Sequence, residues 1–463
     1  MALAELFAVA MVVAVCAALM AGYPVALTLG GVSLACAALG HLLGLMDFGI
    51  LGALPQRIYG VITNEVLLAV PLFMFMGVML ERAGIAEDLL ETMGRLFGPL
   101  RGGLGISAVI VGTLLAAAKG VVGATTVTLG LIMLPTMLRF GYDRRLAAGT
   151  VAATSTLAQI FPPATVLILL GDQLGNSYQA AQLAKGIFAP RALTVSDLFA
   201  GALVPGLALV ALYLLFLIAV AFIRPEASPA LPRDANGAKG FAFAGRLIAA
   251  LVAPLALIAA VLGSILGGVA TPTEAGSIGA VGAVLLAARK GALGAALKPV
   301  VEKTTQIVGM IFLILIGATA FSLVFRALGG DVMVERALTD LPGGTDGAIL
   351  TVMLAMFLLG FVMDAFEIIF VVVPIVAPPL LQMPGVDPVW LGVMMAMNLQ
   401  TSYMHPPLGP TLFFLRSVAP PEITTRDIYI GIIPFVLIQL CALVVLWFWP
   451  GLATGLPHLL YGR

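Results

Sequence analysis

The sequence predicts an all-α polytopic membrane protein organised as an inverted internal repeat, and three observations lead there. Of 463 residues, 61% are hydrophobic and 10% charged, with a mean hydropathy of +1.13. Soluble domains are about 45–50% apolar and about 25% charged, so lipid must solvate this chain. Apolar runs near the ~20 residues that a bilayer core demands recur from end to end. The third observation is that one stretch of the chain returns 244 residues later.

The first run, Met1 to Met20, carries Glu5 where a secretory signal would carry basic residues, so it reads as a spanning helix. Further spans are expected at 24–45, 65–82, 203–223, 247–267, 272–288, 306–326 and 430–449. Residues 50–63 and 86–98 alternate polar and apolar faces at helical spacing and are short, which suits interfacial or connecting helices. Residues 100–139 and 346–383 are apolar but interrupted near the middle by Gly, Lys or Asp. Each is too long for one crossing and too broken for two ordinary ones, as a helical hairpin would be.

Arg224, Arg233, Lys239 and Arg246 mark one basic stretch, and Arg289, Lys290, Lys298 and Lys303 a second. Two helices separate them, so both face one side, which the positive-inside rule makes cytoplasmic. The turn Gly267 to Thr271 then faces the periplasm. Asp172 to Asp197 reads as a polar loop.

Several function classes are disfavoured. Cys16, Cys36 and Cys441 lie apart in apolar runs without ligand spacing and read as small buried hydrophobes. Formal net charge is zero, which gives no footprint for nucleic acid. Neither H-E-x-x-H nor G-x-x-x-x-G-K-[ST] occurs, which argues against a zinc enzyme and an ATP-driven pump. His41 and His458 lie near helix ends and receive no role. Trp447 and Trp449 fit an interfacial belt.

The repeat carries the chemistry. Gly141, Asp143, Pro162 and Pro163 return as Gly385, Asp387, Pro406 and Pro407 at one constant offset (385 − 141 and 407 − 163 both give 244). Pro135 and Pro379 extend the register upstream. After an insertion the match resumes with Asp197-Leu-Phe-Ala-Gly201 and Asp427-Ile-Tyr-Ile-Gly431. In each copy an Asp suits the positive end of a helix, and a double proline removes two backbone donors and breaks that helix. At membrane depth such a break is tolerated only against protein or a wet cavity. Paired breaks in two halves point to the binding site of a transporter.

The breaks are polar: Thr154, Ser155, Thr156 and Gln159 in the first, Asn398, Gln400, Thr401, Ser402 and His405 in the second. Hydroxyls, amides and unwound carbonyls are hard oxygen ligands for an alkali cation, and half-helix N-termini suit a carboxylate. A lone Ser or Thr can instead bond back to its own helix. In the hairpin-like stretches, Gly120 corresponds to Asp364, which puts Lys119 one position from the counterpart of Asp364. Lys119 has three readings: an ammonium replacing a cation site near Asp364, a ligand for a substrate carboxylate, or a side chain snorkelling to an interface. Glu367 lies three residues after Asp364 on the same helical face, as a partner, a proton carrier or a structural hydrogen bond. His405 could couple transport to protons or simply be hydrogen-bonded.

The runs GVVGATTVTLGLIMLPTMLRFGYDRRLAAGT (120–150), TLAQIFPPATVLILLGD (156–172), ATPTEAGS (270–277), GFVMDAFEIIFVVVPIVAPPLL (360–381) and HPPLGPTLFFLRSVAPPEITTRDIYIGIIPF (405–435) resemble the large permease subunit of tripartite ATP-independent periplasmic (TRAP) transporters, over nearly the whole chain. The resemblance implies an elevator-type transporter of the bacterial inner membrane that imports an organic acid with Na⁺ as coupling ion and without a cofactor. It implies two re-entrant helical hairpins and two broken helices moving past a scaffold within one integrated domain, 1–463. The scaffold would comprise 1–99, 173–345 and 418–463, and the transport domain 100–172 and 346–417. Na⁺ would bind where hairpin tips meet helix breaks, at Gly123, Thr154, Ser155, Asn398, Thr401 and Ser402. Substrate would meet Lys119, Gly120, Thr125, Thr156, Gln159, Asp364, Glu367, Gln400 and His405. Relatives often have a Ser/Gly-rich first hairpin tip where this chain has Ala118-Lys119-Gly120. The implied partners are a small four-helix membrane subunit and a periplasmic substrate-binding protein. The rival reading is a stand-alone Na⁺- or H⁺-coupled carboxylate carrier, or a Na⁺/H⁺ antiporter.

Overall fold

A computed structural model describes residues 3–119, 122–231 and 241–462. Helices α1 (Leu3–Met20) and α2 (Val25–Leu42) lead through a 3-10 turn to the short α3 (Leu54–Ile62). The first repeat runs α4 (Ala69–Arg82), α5 (Ile85–Phe97), α6 (Gly103–Lys119), α7 (Val122–Arg139), α8 (Arg144–Thr156), α9 (Thr165–Ala184) and α10 (Val195–Ile223). After α11 (Phe241–Leu266) and α12 (Pro272–Arg289), the second repeat runs α13 (Leu293–Ala327), α14 (Gly330–Thr339) and α15 (Gly344–Leu359). It continues as α16 (Ala365–Glu367), which passes through a π-helical turn into α17 (Val373–Gln382), and then α18 (Pro388–Met404), α19 (Pro410–Val418) and α20 (Thr425–Phe448). The last helix is α21 (Gly451–Tyr461).

Seven helices among the described residues are long and apolar enough to cross a bilayer. The expected span at 65–82 follows the segment Phe48–Ile62 at a bend of 48°. The second arm of each hairpin-like pair, Val122–Arg139 and Ala365–Gln382, is an 18-residue helix apolar enough to cross by itself. In the first pair the Tyr142 hydroxyl accepts from the Leu104 amide at 3.2 Å, so the start of α6 and the end of α7 lie side by side. One expectation is corrected in part: of the loop expected from Asp172 to Asp197, residues 172–184 belong to α9, which continues to Ala184, and only 185–194 connect it to α10. A boundary at 172 therefore cuts a helix.

The two copies share their local devices. Gly141 and Gly385 adopt φ of 79° and 80°, a region open to glycine at no steric cost. Asp143 and Asp387 cap α8 and α18, each accepting from two amides of the first turn. Thr194–Asp197 and Thr424–Asp427 form reciprocal capping boxes at the starts of α10 and α20.

The two copies are inverted, and α20 measures it. Arg145 at the start of α8 meets Asp427 near the start of α20 at 3.4 Å. Trp390 at the start of α18 donates to the Leu446 carbonyl near the end of α20 at 2.9 Å. The broken helices thus enter from opposite ends. Lipid gives no hydrophobic drive to helix association, so small residues that admit close backbones decide the crossings. A Cβ built on Gly149 would lie 2.0 Å from the Gly431 carbonyl oxygen, and one on Gly431 would lie 2.0 Å from that of Arg145. On the inverted side, a Cβ on Gly201 of α10 would lie 2.4 Å from Val389 and 3.3 Å from Val393 of α18. Val389 and Val393 are the 244-residue counterparts of Arg145 and Gly149. Each copy's broken helix therefore packs on the last helix of the other copy. Every residue from Ala147 to Thr156 in α8 and from Val389 to Met404 in α18 is buried.

Candidate functional site

Both α8 and α18 stop short of the far side. After Thr156, α8 tightens into a 3-10 turn (Leu157–Gln159), passes Pro162 and Pro163, and resumes as α9 at Thr165. After Met404, α18 gives way to extended backbone at His405, passes Pro406 and Pro407, and resumes as α19 at Pro410. The breaks meet: Gln400 Nε2 donates to Thr156 Oγ1 at 3.3 Å, and these residues are 244 apart in sequence. They are each other's counterpart, so the pseudo-two-fold axis runs between them.

Hairpin arms flank each break. On the second side, Asn398 Nδ2 donates to the Met353 carbonyl of α15 at 2.7 Å. Tyr403 donates its hydroxyl to Asp364, which caps α16. A Cβ on Gly360 would lie 2.4 Å from Ser402 Oγ, so the turn after α15 rests directly on α18. The His405 ring sits 4.3 Å from that of Phe357 and 3.9 Å from that of Phe361, with Nδ1 3.1 Å from the Ser402 carbonyl. On the first side, Gly112 of α6 admits the Thr154 methyl, which would lie 2.0 Å from a Cβ there. Gly123 at the start of α7 lies under the Phe414 ring of α19. Thr125 is buried on α7. Gly120 and the side chain of Lys119 lie outside the described residues, and with them the proposed approach of Lys119 to Asp364.

The candidate hydroxyls divide into two classes. Ser155, Thr401 and Ser402 bond back to carbonyls of their own helices at 2.7–2.8 Å, as does Thr156. These oxygens retain lone pairs but are oriented by their helix. The Thr154 hydroxyl stands apart: with Gln159 Oε1, Glu367 Oε2, Gln400 Oε1 and His405 Nε2, its Oγ1 has no hydrogen-bond partner among the described residues. An unpaired buried polar atom costs about 1–3 kcal/mol, so five on the two broken helices and the second hairpin are a built feature. Thr165 and Thr411, also buried with unpaired hydroxyls, begin the half-helices α9 and α19 and were not foreseen. Their signal was available, since each is the first Thr after its double proline. Tyr403 and the Phe357–Phe361 pair were missed too, because no spacing rule ties an aromatic to a carboxylate on another helix.

Residues 11–452 match the family described as the tripartite ATP-independent periplasmic transporter, DctM component. The chain belongs to that family. It is accordingly a permease of the TRAP transporters, embedded in a membrane through several spans. It is 28% identical to the C4-dicarboxylate TRAP transporter large permease protein DctM of Pseudomonas aeruginosa, over 88% of this chain and 89% of that protein. It is 24% identical to the ectoine TRAP transporter large permease protein TeaC of Halomonas elongata, over 96% and 97%. Among solved structures, the YdaH transporter of Alcanivorax borkumensis shares the fold, with a TM-score of 0.61 at 17% identity over 87% of this chain and 88% of that one. The homologues are transporter permeases rather than enzymes, and the fold of this TRAP chain is the all-helical polytopic one expected.

Proposed function

We propose that this TRAP permease imports an organic acid across the bacterial inner membrane, driven by Na⁺, with substrate handed over by a periplasmic binding protein and a small four-helix subunit alongside it. The observation that carries the reading is that buried polar atoms without partners among the described residues recur on both broken helices, which meet through Thr156 and Gln400, and on the second hairpin at Glu367. Thr154 Oγ1 and the carbonyls freed at the breaks are hard oxygens of the kind Na⁺ takes. The N-termini of α9 and α19, each with an unpaired Thr hydroxyl, favour a carboxylate. Dicarboxylate transport by the Pseudomonas relative supports that substrate class.

The moving unit in this reading is the hairpin α6–α7 with α8 and α9, and the hairpin α15–α17 with α18 and α19, both hairpins re-entrant. The remaining helices form the scaffold, and an elevator displacement carries the site between the two sides. The test is uptake into proteoliposomes containing this chain and its membrane partner, with binding protein outside, with and without an inward Na⁺ gradient. Uptake that needs both is expected. Uptake indifferent to the binding protein would replace this reading with the stand-alone carrier, and uptake following a proton gradient would remove Na⁺ from it.

A further inference from the structure

The periplasmic side, as fixed by the basic loops, holds two adjoining cavities of opposite character. One, of 840 Å³, is lined by four carboxylates, Glu65, Asp172, Asp197 and Glu274, and by no Lys or Arg. The other, of 490 Å³, is lined by Arg57 of α3 and Arg326 at the end of α13, facing Phe370 and Pro374 of the second hairpin's outgoing arm. Asp172 borders both. Its carboxylate is held by Asn64 Nδ2 at 2.8 Å and Gln173 Nε2 at 3.0 Å, so a hydrogen bond between the chain before α4 and α9 forms the partition.

The arginines are available. Arg57 is exposed and has no acidic partner among the described residues. Arg326 donates one N–H to the Pro374 carbonyl at 3.3 Å, which leaves most of its five donors. The rest of the wall combines the hydroxyls and amides of Asn176, Ser177, Thr319 and Ser322 with apolar side chains such as Leu67 and Leu315. Two guanidiniums against the single carboxylate of Asp172 leave an excess of positive charge; a cleft with such an excess and low-dielectric walls concentrates ions of the other sign, and a guanidinium matches a carboxylate in shape as well as charge.

We propose that the Arg57–Arg326 chamber is a receiving subsite for the carboxylate of an incoming small organic acid, and that the acidic chamber beside it turns the same anion away. The proposal rests on the import reading above and adds where the anion first meets this chain, beside the arm that leads to Asp364.

The test uses this chain with its membrane partner in proteoliposomes, without binding protein. Cys16, Cys36 and Cys441 are changed to Ala, and Ser322→Cys supplies a thiol in the chamber. Labelling rates are compared for an anionic sulfonatoethyl and a cationic trimethylammonioethyl methanethiosulfonate. We expect the anionic reagent to react faster, a preference that falls about tenfold in Arg57→Gln/Arg326→Gln and survives in Arg57→Lys/Arg326→Lys. Succinate at millimolar concentration should slow the anionic reagent in the parent and not in the Gln variant. A preference that the Gln variant keeps, or succinate protection that persists in it, overturns the chamber. If the chamber behaves as stated while no carboxylate is taken up in the gradient assay, the import reading is what fails.

Discussion

Replacing Gly149 by Ala puts a methyl carbon 2.0 Å from the Gly431 carbonyl oxygen and 2.5 Å from its carbon. The obstacle is backbone on both helices, so no rotamer can relieve it. Restoring contact near 3.4 Å requires α8 and α20 to part by about 1.4 Å along that line. Overpacking of this kind costs about 1–3 kcal/mol, against which Ala gains only about 0.5–1 kcal/mol of helix propensity. Because Thr156 ends the same α8, the shift also reaches its 3.3 Å bond to Gln400. The control is Gly455→Ala in α21, where a Cβ meets nothing within 4 Å. We expect the purified complex carrying Gly149→Ala to unfold a few degrees below the control, with slower uptake. Gly431→Ala should behave alike, and the double variant should lose less than the two losses added, because helices already parted admit the second methyl more easily. Equal unfolding temperature and equal uptake in Gly149→Ala and Gly455→Ala would refute the crossing.

Two further outcomes are expected. Tyr403→Phe removes a hydroxyl donor from the half-buried Asp364; at about 1.5–3 kcal/mol for a hydrogen bond to a charged group, the half-saturating concentration of Na⁺ or of substrate should rise about 10- to 100-fold, and unchanged titrations of both would exclude a role for that carboxylate. Thr194→Ala and Thr424→Ala each break a capping box at the start of a counterpart helix; each should lower stability by about 1 kcal/mol, by similar amounts, in denaturant titrations of the purified complex, and a loss at only one would contradict their equivalence.

The repeat was legible because glycine, aspartate and proline do backbone work that few residues share, so they survive in register where packing residues diverge. The helix caps and breaks at Asp143, Asp387, Pro163 and Pro407 follow from that alone. The second half of α9 was not legible. Asp172, Gln173, Asn176 and Gln179 look like a loop because polarity at that density usually means water, and here the water-facing surface is a cavity wall on a helix. Nor could spacing divide the site hydroxyls: Ser155 and Thr154 are neighbours of similar chemistry, yet one bonds back to Val151 and the other has no partner among the described residues. That difference depends on where each points around α8, and α6 settles it from more than thirty residues upstream through Gly112.

The exchange of last helices between the two halves also sets an order of assembly. Arg145 waits 282 residues for Asp427, and at a synthesis rate of about 5–20 residues per second that is roughly 15–60 s. Through that interval α8, with its flank of small residues made for a backbone neighbour, is already out of the ribosome and has no α20 to lie against. The earliest broken helix is therefore completed by the final long one, and a chain truncated before residue 425 would leave its oldest half unfinished along with its newest, whose Trp390 also bonds to α20.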